Sequence, residues 1–136
     1  MLWLKREDFH MTPEQFMRQY EAATCAHDLS AILTLIADDA VYLFSDKTSY
    51  LGKAAITKAL ERNFASIRDE TYRIEEMHWL TRSDQVAACV YEFNWTGVID
   101  GLPASGRGRG TSVVEAHADS WLVVHEHLSS GRLQSI

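Results

Sequence analysis

Two histidines one residue apart, His125 and His127, stand near the end of this 136-residue chain, in Trp121-Leu122-Val123-Val124-His125-Glu126-His127-Leu128. Imidazole changes charge near neutral pH, so two such rings beside a pocket can act as general acid and base. Read as a strand, the segment alternates: Trp121, Val123, His125 and His127 share one face, and Leu122, Val124, Glu126 and Leu128 the other. A tight hairpin centred on Ala118-Asp119 would set Ser112 opposite His125 and Val114 opposite Val123. The same pair could instead be structural, hydrogen-bonded to neighbours. As metal ligands they would need His78, His117 or Glu115 as a third; only two converge on one face, so no metal is assigned.

The stretch 86–96 carries the next candidates. Cys89, Tyr91, Phe93 and Trp95 fall on one face, as core, pocket lining or a stacking platform for a planar ligand. Ala88, Val90, Glu92, Asn94 and Thr96 fall on the other. Glu92 is a candidate base if buried, because burial raises a carboxyl pKa; otherwise it is an exposed or interface glutamate. Arg107 and Arg109, in Gly106-Arg107-Gly108-Arg109-Gly110, point one way. Either can clamp a ligand carboxylate or pair with Glu115, Glu126 or a second copy of the chain. The glycines are no phosphate loop, because Thr111-Ser112-Val113-Val114 leads into a strand and not a helix. Tyr42, Tyr50, Tyr72 and Trp79 are further pocket or interface candidates. No Ser-His-Asp or Cys-His set can be assembled, and Cys25 and Cys89 read as small buried apolar residues.

These side chains need elements to hold them. Thr12-Pro13-Glu14-Gln15 is a capping-box helix start, followed by Phe16, Met17, Tyr20, Ala23 and Ala26 at helical spacing to about His27. Asp28 caps a second helix with Leu29, Ile32, Leu33 and Ile36 on its stripe. Residues 40–44 read as a strand, 45–52 as a loop, and 53–67 as a third amphipathic helix through Ile56, Ala59, Leu60, Phe64 and Ile67. Strands follow over 72–80, 86–98, 107–117 and 121–128. They are separated by the turn segments Arg82-Ser83-Asp84, Asp100-Gly101-Leu102-Pro103 and Ala118-Asp119. Three helices cannot cover both faces of such a meander. The order therefore predicts an α+β cone: a strongly curved, mostly antiparallel sheet wrapped around three N-terminal helices, with a pocket between sheet and helices.

The balance of 46% hydrophobic and 24% charged residues fits one globular domain. A formal net charge of -6 with one short basic cluster argues against nucleic-acid binding. No run is long enough for a membrane-spanning helix. Charges within Met1-Leu2-Trp3-Leu4-Lys5-Arg6-Glu7-Asp8 do not fit a signal peptide, so a cytoplasmic protein is expected. Residues 1–11 read as an extension, 12–130 as the domain and 131–136 as a tail.

At this point the motifs resemble a known family. Thr12-Pro13-Glu14, Ala26-His27-Asp28-Leu29-Ser30-Ala31-Ile32, Ala37-Asp38-Asp39-Ala40-Val41, Gly52-Lys53-Ala54-Ala55-Ile56 and Gly108-Arg109-Gly110-Thr111 stand in the order found in SnoaL-like proteins of the nuclear transport factor two-like superfamily. The tail, Trp121 through His125, His127 and Ser129, also resembles the association domain of calcium/calmodulin-dependent kinase two. The resemblance implies a homodimer or larger ring and a pocket for a small apolar or acidic ligand, and not one particular reaction. Ketosteroid isomerases of the superfamily carry a catalytic carboxylate where Phe44 stands here, with Asp46 two residues on. Ser112 replaces a pocket arginine of the kinase domain, and the other falls near Phe93 or Asn94. Candidate catalytic residues are thus His125, His127 and Glu92. Candidate ligand-binding residues are Tyr42, Phe44, Tyr91, Phe93, Asn94, Trp95, Ser112, Trp121 and Arg109. No cofactor is called for. Three readings stand side by side: a dimeric binding protein, a cofactor-free isomerase, cyclase or hydratase, and an assembly module.

Overall fold

A computed structural model of the chain describes residues 10–131. Nearly all of the expected extension and tail therefore lies outside the described residues. Helix α1 spans Pro13–Cys25 and starts with the full capping box, Thr12 accepting from the Gln15 N–H and Gln15 reaching back to the Thr12 N–H. Such a cap contributes about 1 kcal/mol. Helix α2, Leu29–Leu33, is capped by Asp28. It is shorter than its stripe implied, because Ile36 opens the strand β1, Ile36–Leu43. Strand pairing there overrides helical spacing. A short strand β2, Ser49–Leu51, pairs with β1 inside the expected loop. Helix α3 is Lys53–Ser66.

Four long strands follow: β3 Arg68–Arg82, β4 Val86–Ile99, β5 Leu102–His117 and β6 Ser120–Ser130. Leu102 and Pro103 belong to β5 and not to the turn. Asp100 and Gly101 alone make it, with φ of 51° and 79°, the two-residue hairpin turn whose twist matches flanking strands. The six strands run in the order β2-β1-β6-β5-β4-β3. All neighbours are antiparallel except β1 and β6.

The sheet curves around the helices without closing. Its free edge is β3, where unpaired backbone groups would invite other strands. Side chains of α1 occupy that edge: Glu21 accepts from the Ile74 N–H at 2.5 Å, Arg18 donates to the Ile74 carbonyl at 2.7 Å, and the Cys25 sulfur accepts from the Tyr72 N–H at 3.4 Å. The opposite edge is the three-residue β2, too short to template much.

Two irregularities decide what faces inward. In β3, Glu75 pairs with Glu92 but His78 with Val90, and Glu76 takes φ of 53°. In β6, Val114 pairs with Val123 while Val113 pairs with His125, so Val124 is an extra residue in the strand. A bulge of this kind swaps the faces of everything beyond it. Trp121 and Val123 point into the core, and past the bulge Glu126 and Leu128 take the inner face. The expected partner of Ser112 was His125; Ser112 pairs with Glu126.

The inner face of β4 packs on a stripe of glycines. Tyr91, Phe93 and Trp95 lie opposite Gly110, Gly108 and Gly106 of β5. A Cβ built on any of the three glycines would come within 2.5 Å of the facing ring, and at Gly108 closer still to the Ser129 carbonyl. The alternating glycines are thus ring seats, which lets large aromatic side chains lie low on the sheet and leaves room above them.

Candidate active site

That room is a cavity of about 250 Å³ between helices and sheet. Tyr20 and Thr24 of α1, Leu60 and Asn63 of α3, Phe44, Ser45 and Asp46 after β1, Tyr72, Phe93 and Trp95 from the sheet, Glu70, and Glu126 with Leu128 line it. Glu126 is 4% exposed, and among the described residues no lysine, arginine or histidine pairs with its carboxylate. Burial pushes its pKa up to about 7, although hydrogen bonding from the Tyr20 and Tyr91 hydroxyls pulls the other way.

Those phenols belong to chains of hydroxyls. Tyr20 and Tyr42 are 2.8 Å apart, and Tyr91 and Ser112 are 2.9 Å apart. Burial, and next the Glu126 charge, hold the Tyr20, Tyr42, Tyr72 and Tyr91 phenols well above their ordinary range. They remain neutral donors at any pH where Glu126 titrates. Hydroxyl chains of this kind polarise one another in a low dielectric.

A second pair sits at the rim. His27 Nε2 is 2.6 Å from Glu70 Oε1, and the imidazole stacks on Phe64 with centroids 4.1 Å apart. His27 is held at φ of 54° just past the end of α1. Asp46, in the loop beyond β1, accepts from the Thr48 N–H and hydroxyl, which lowers its pKa despite full exposure.

The expected site residues divide between two faces. Phe44, Phe93 and Trp95 line the cavity. Tyr42, Tyr91 and Ser112 lie buried and supply the hydroxyl chains. Trp121 is buried elsewhere, its indole N–H donating to the Met11 carbonyl at 2.7 Å. His125 and His127 are corrected to the outer face by the Val124 bulge. His125 Nδ1 lies 2.8 Å from the Val41 carbonyl, and His127 is exposed in a shallow outer groove. Glu92, Asn94 and Arg109 are also on the outer face, Glu92 opposite Arg109. Arg109 cannot pair with Glu126, which faces the other way. Among the described residues no three metal-ligating groups converge.

Sequence reasoning missed Glu126, Glu70 and His27. One signal for Glu126 was present: with strict alternation the inner face reads Trp-Val-His-His, whereas a one-residue slip after Val123 reads Trp-Val-Glu-Leu. The His27–Glu70 contact joins residues 43 apart in sequence, and no local pattern reports it.

The model of a SnoaL-like domain matches residues 14–132. No protein with a curated description matches the sequence. Solved structures share the fold at low identity. A Novosphingobium aromaticivorans protein provisionally named an aromatic ring hydroxylase superposes with a TM-score of 0.81 at 20% identity, over 98% of this chain and 95% of that one. A protein of the same organism provisionally named a scytalone dehydratase gives 0.78 at 15%, over 88% and 81%. A Xanthomonas campestris protein provisionally named a calcium/calmodulin-dependent kinase two association domain gives 0.76 at 18%, over 87% and 84%. Among the described residues no helix is long and apolar enough to cross a membrane.

Proposed function

The chain belongs to the SnoaL-like domain family, and on that premise we propose that it binds a small, largely apolar ring compound and moves a proton on it, with Glu126 as the acid–base group. The observation that carries this reading is one carboxyl, buried at the floor of an aromatic cavity and titrating at about 7. A group with that pKa can both take and return a proton at neutral pH. At about 250 Å³ the cavity lies just below the about 300–1,000 Å³ usual for drug-sized ligands, which fits one or two rings.

The proposed roles follow from position. Glu126 accepts a proton from carbon beside a carbonyl. Tyr72, which lines the cavity and stays protonated, donates to the oxygen where negative charge develops. Glu126 then returns the proton to another carbon, which is isomerisation, or the electron pair expels a β-hydroxyl that takes the proton from Glu126 and leaves as water, which is dehydration. The proton bookkeeping closes on the chain's own side chains. Deuterium wash-in from heavy water into a panel of cyclic ketones tests this. Exchange should rise with pH through about 7, and Glu126→Gln should lower it on the order of a hundredfold or more. Exchange unaffected by that substitution would sink the assignment.

Self-association is the second part of the proposal. The uncovered sheet face carries Ala88, Val90, Val113, Leu122 and Val124, all partly buried, and this face supports a homodimer. Leu128, which strict alternation sets on the same face as Leu122 and Val124, lines the cavity instead. Light scattering at about micromolar concentration should give twice the chain mass; a monomer would remove this part and leave the cavity chemistry standing.

A further inference from the structure

We infer that the cavity takes a ligand bearing a positive charge or a basic nitrogen, and that it rejects carboxylates. This rests on reading the cavity as the ligand site, and not on the proton transfer. The sequence left apolar and acidic ligands both open; the lining separates them.

Three acidic residues line the cavity, Glu126, Glu70 and Asp46, the last two with their carboxylates on His27 and Thr48, and no lysine or arginine among the described residues lines it. The walls are the rings of Phe44, Tyr72, Phe93 and Trp95. Ring faces carry negative potential and attract cations. Tyr72 and Phe93 stack with centroids 6.4 Å apart and so present a continuous wall. At the floor, Glu126 is more than nine-tenths buried, and Tyr20 and Tyr91 are the hydroxyls that hydrogen-bond to it. An ionised carboxylate has about four acceptor sites, so capacity remains on the cavity side. A ligand ammonium supplies both the missing donors and the missing charge. A ligand carboxylate would find only neutral donors, such as the Tyr72 hydroxyl and the Asn63 amide, and no lysine or arginine to receive its charge.

The nearby cations do not reverse this. Arg62 acts on Asp46 from outside; its guanidinium lies over the Tyr50 ring at 5.8 Å and donates to the Tyr50 hydroxyl at 3.0 Å. Lys47 faces the outer groove. His27 is bound to Glu70, so this pair carries no net positive charge even when the imidazole is protonated. Glu126 and the ring walls therefore supply most of the preference.

Three probes of one shape decide it: 2-phenylethylamine, 2-phenylethanol and 3-phenylpropionate, titrated by calorimetry at a pH above the Glu126 titration. The amine should bind about tenfold or more tighter than the alcohol, and the carboxylate weakest of all. Glu126→Gln should cut the amine's advantage over the alcohol to a few-fold or less. Equal affinities for amine and alcohol, or tighter binding of 3-phenylpropionate, would overturn the inference and leave the proton-transfer reading intact. Absence of binding by all three would overturn this inference together with the assignment of the cavity as a ligand site.

Discussion

Glu126→Gln is expected to make the protein more stable above neutral pH. The carboxyl titrates at about 7 in the fold against 4.5 ordinarily, because burial disfavours its charge. A folded-state pKa raised above the unfolded value means that folding favours the protonated form. Its contribution is fully present below about pH 4.5 and is lost as pH rises through about 7. The loss is on the order of 3 kcal/mol, and a fully buried group escapes most solvent screening. Glutamine has nearly the same shape and cannot ionise, so it avoids the loss. The difference between variant and wild type should grow from near zero at about pH 4.5 to about 3 kcal/mol at about pH 8. At the upper pH this amounts to roughly 10 °C in thermal midpoint. Parallel pH profiles would show an ordinary carboxyl and remove the electrostatic basis of the proposed chemistry. An ionisable group that lowers stability at working pH is what a functional site retains.

Gly108→Ala is expected to reverse the usual effect of adding a methyl group to a strand. Replacing glycine with alanine generally stabilises by a few tenths to 1 kcal/mol through the unfolded chain. Here the new Cβ meets the Ser129 carbonyl of β6 and the Phe93 ring at once, both inside contact distance. The carbonyl is backbone within a paired strand and cannot swing aside; the ring could yield only into the cavity. Overpacking of this kind costs about 1–3 kcal/mol, and a fixed backbone neighbour puts Gly108 at the upper end. Urea unfolding should show the full loss at Gly108 and a smaller one for Gly106→Ala. At Gly106 the three nearest atoms all belong to the partly exposed Trp95 ring, which has room to shift. A neutral Gly108→Ala would mean that the ring-on-glycine packing does not set the height of the cavity floor.

What the sequence determined by itself was local. The capping box at Thr12, the helical stripes of α1 and α3, a turn opening on Asp100-Gly101 and the aromatic row of β4 depend on neighbours within a few residues. They sufficed for the α+β architecture. Tertiary structure decided which side chains face the cavity. One extra residue at Val124 exchanged the faces of β6, carrying His125 and His127 out and Glu126 in. The alternation leaves both the regular and the slipped reading open, and the pairing with β5 and β1 enforces the bulge. The pKa of Glu126 and the His27–Glu70 contact have the same origin: each arises where elements distant in sequence are packed together, and neither burial nor charge proximity exists until they are.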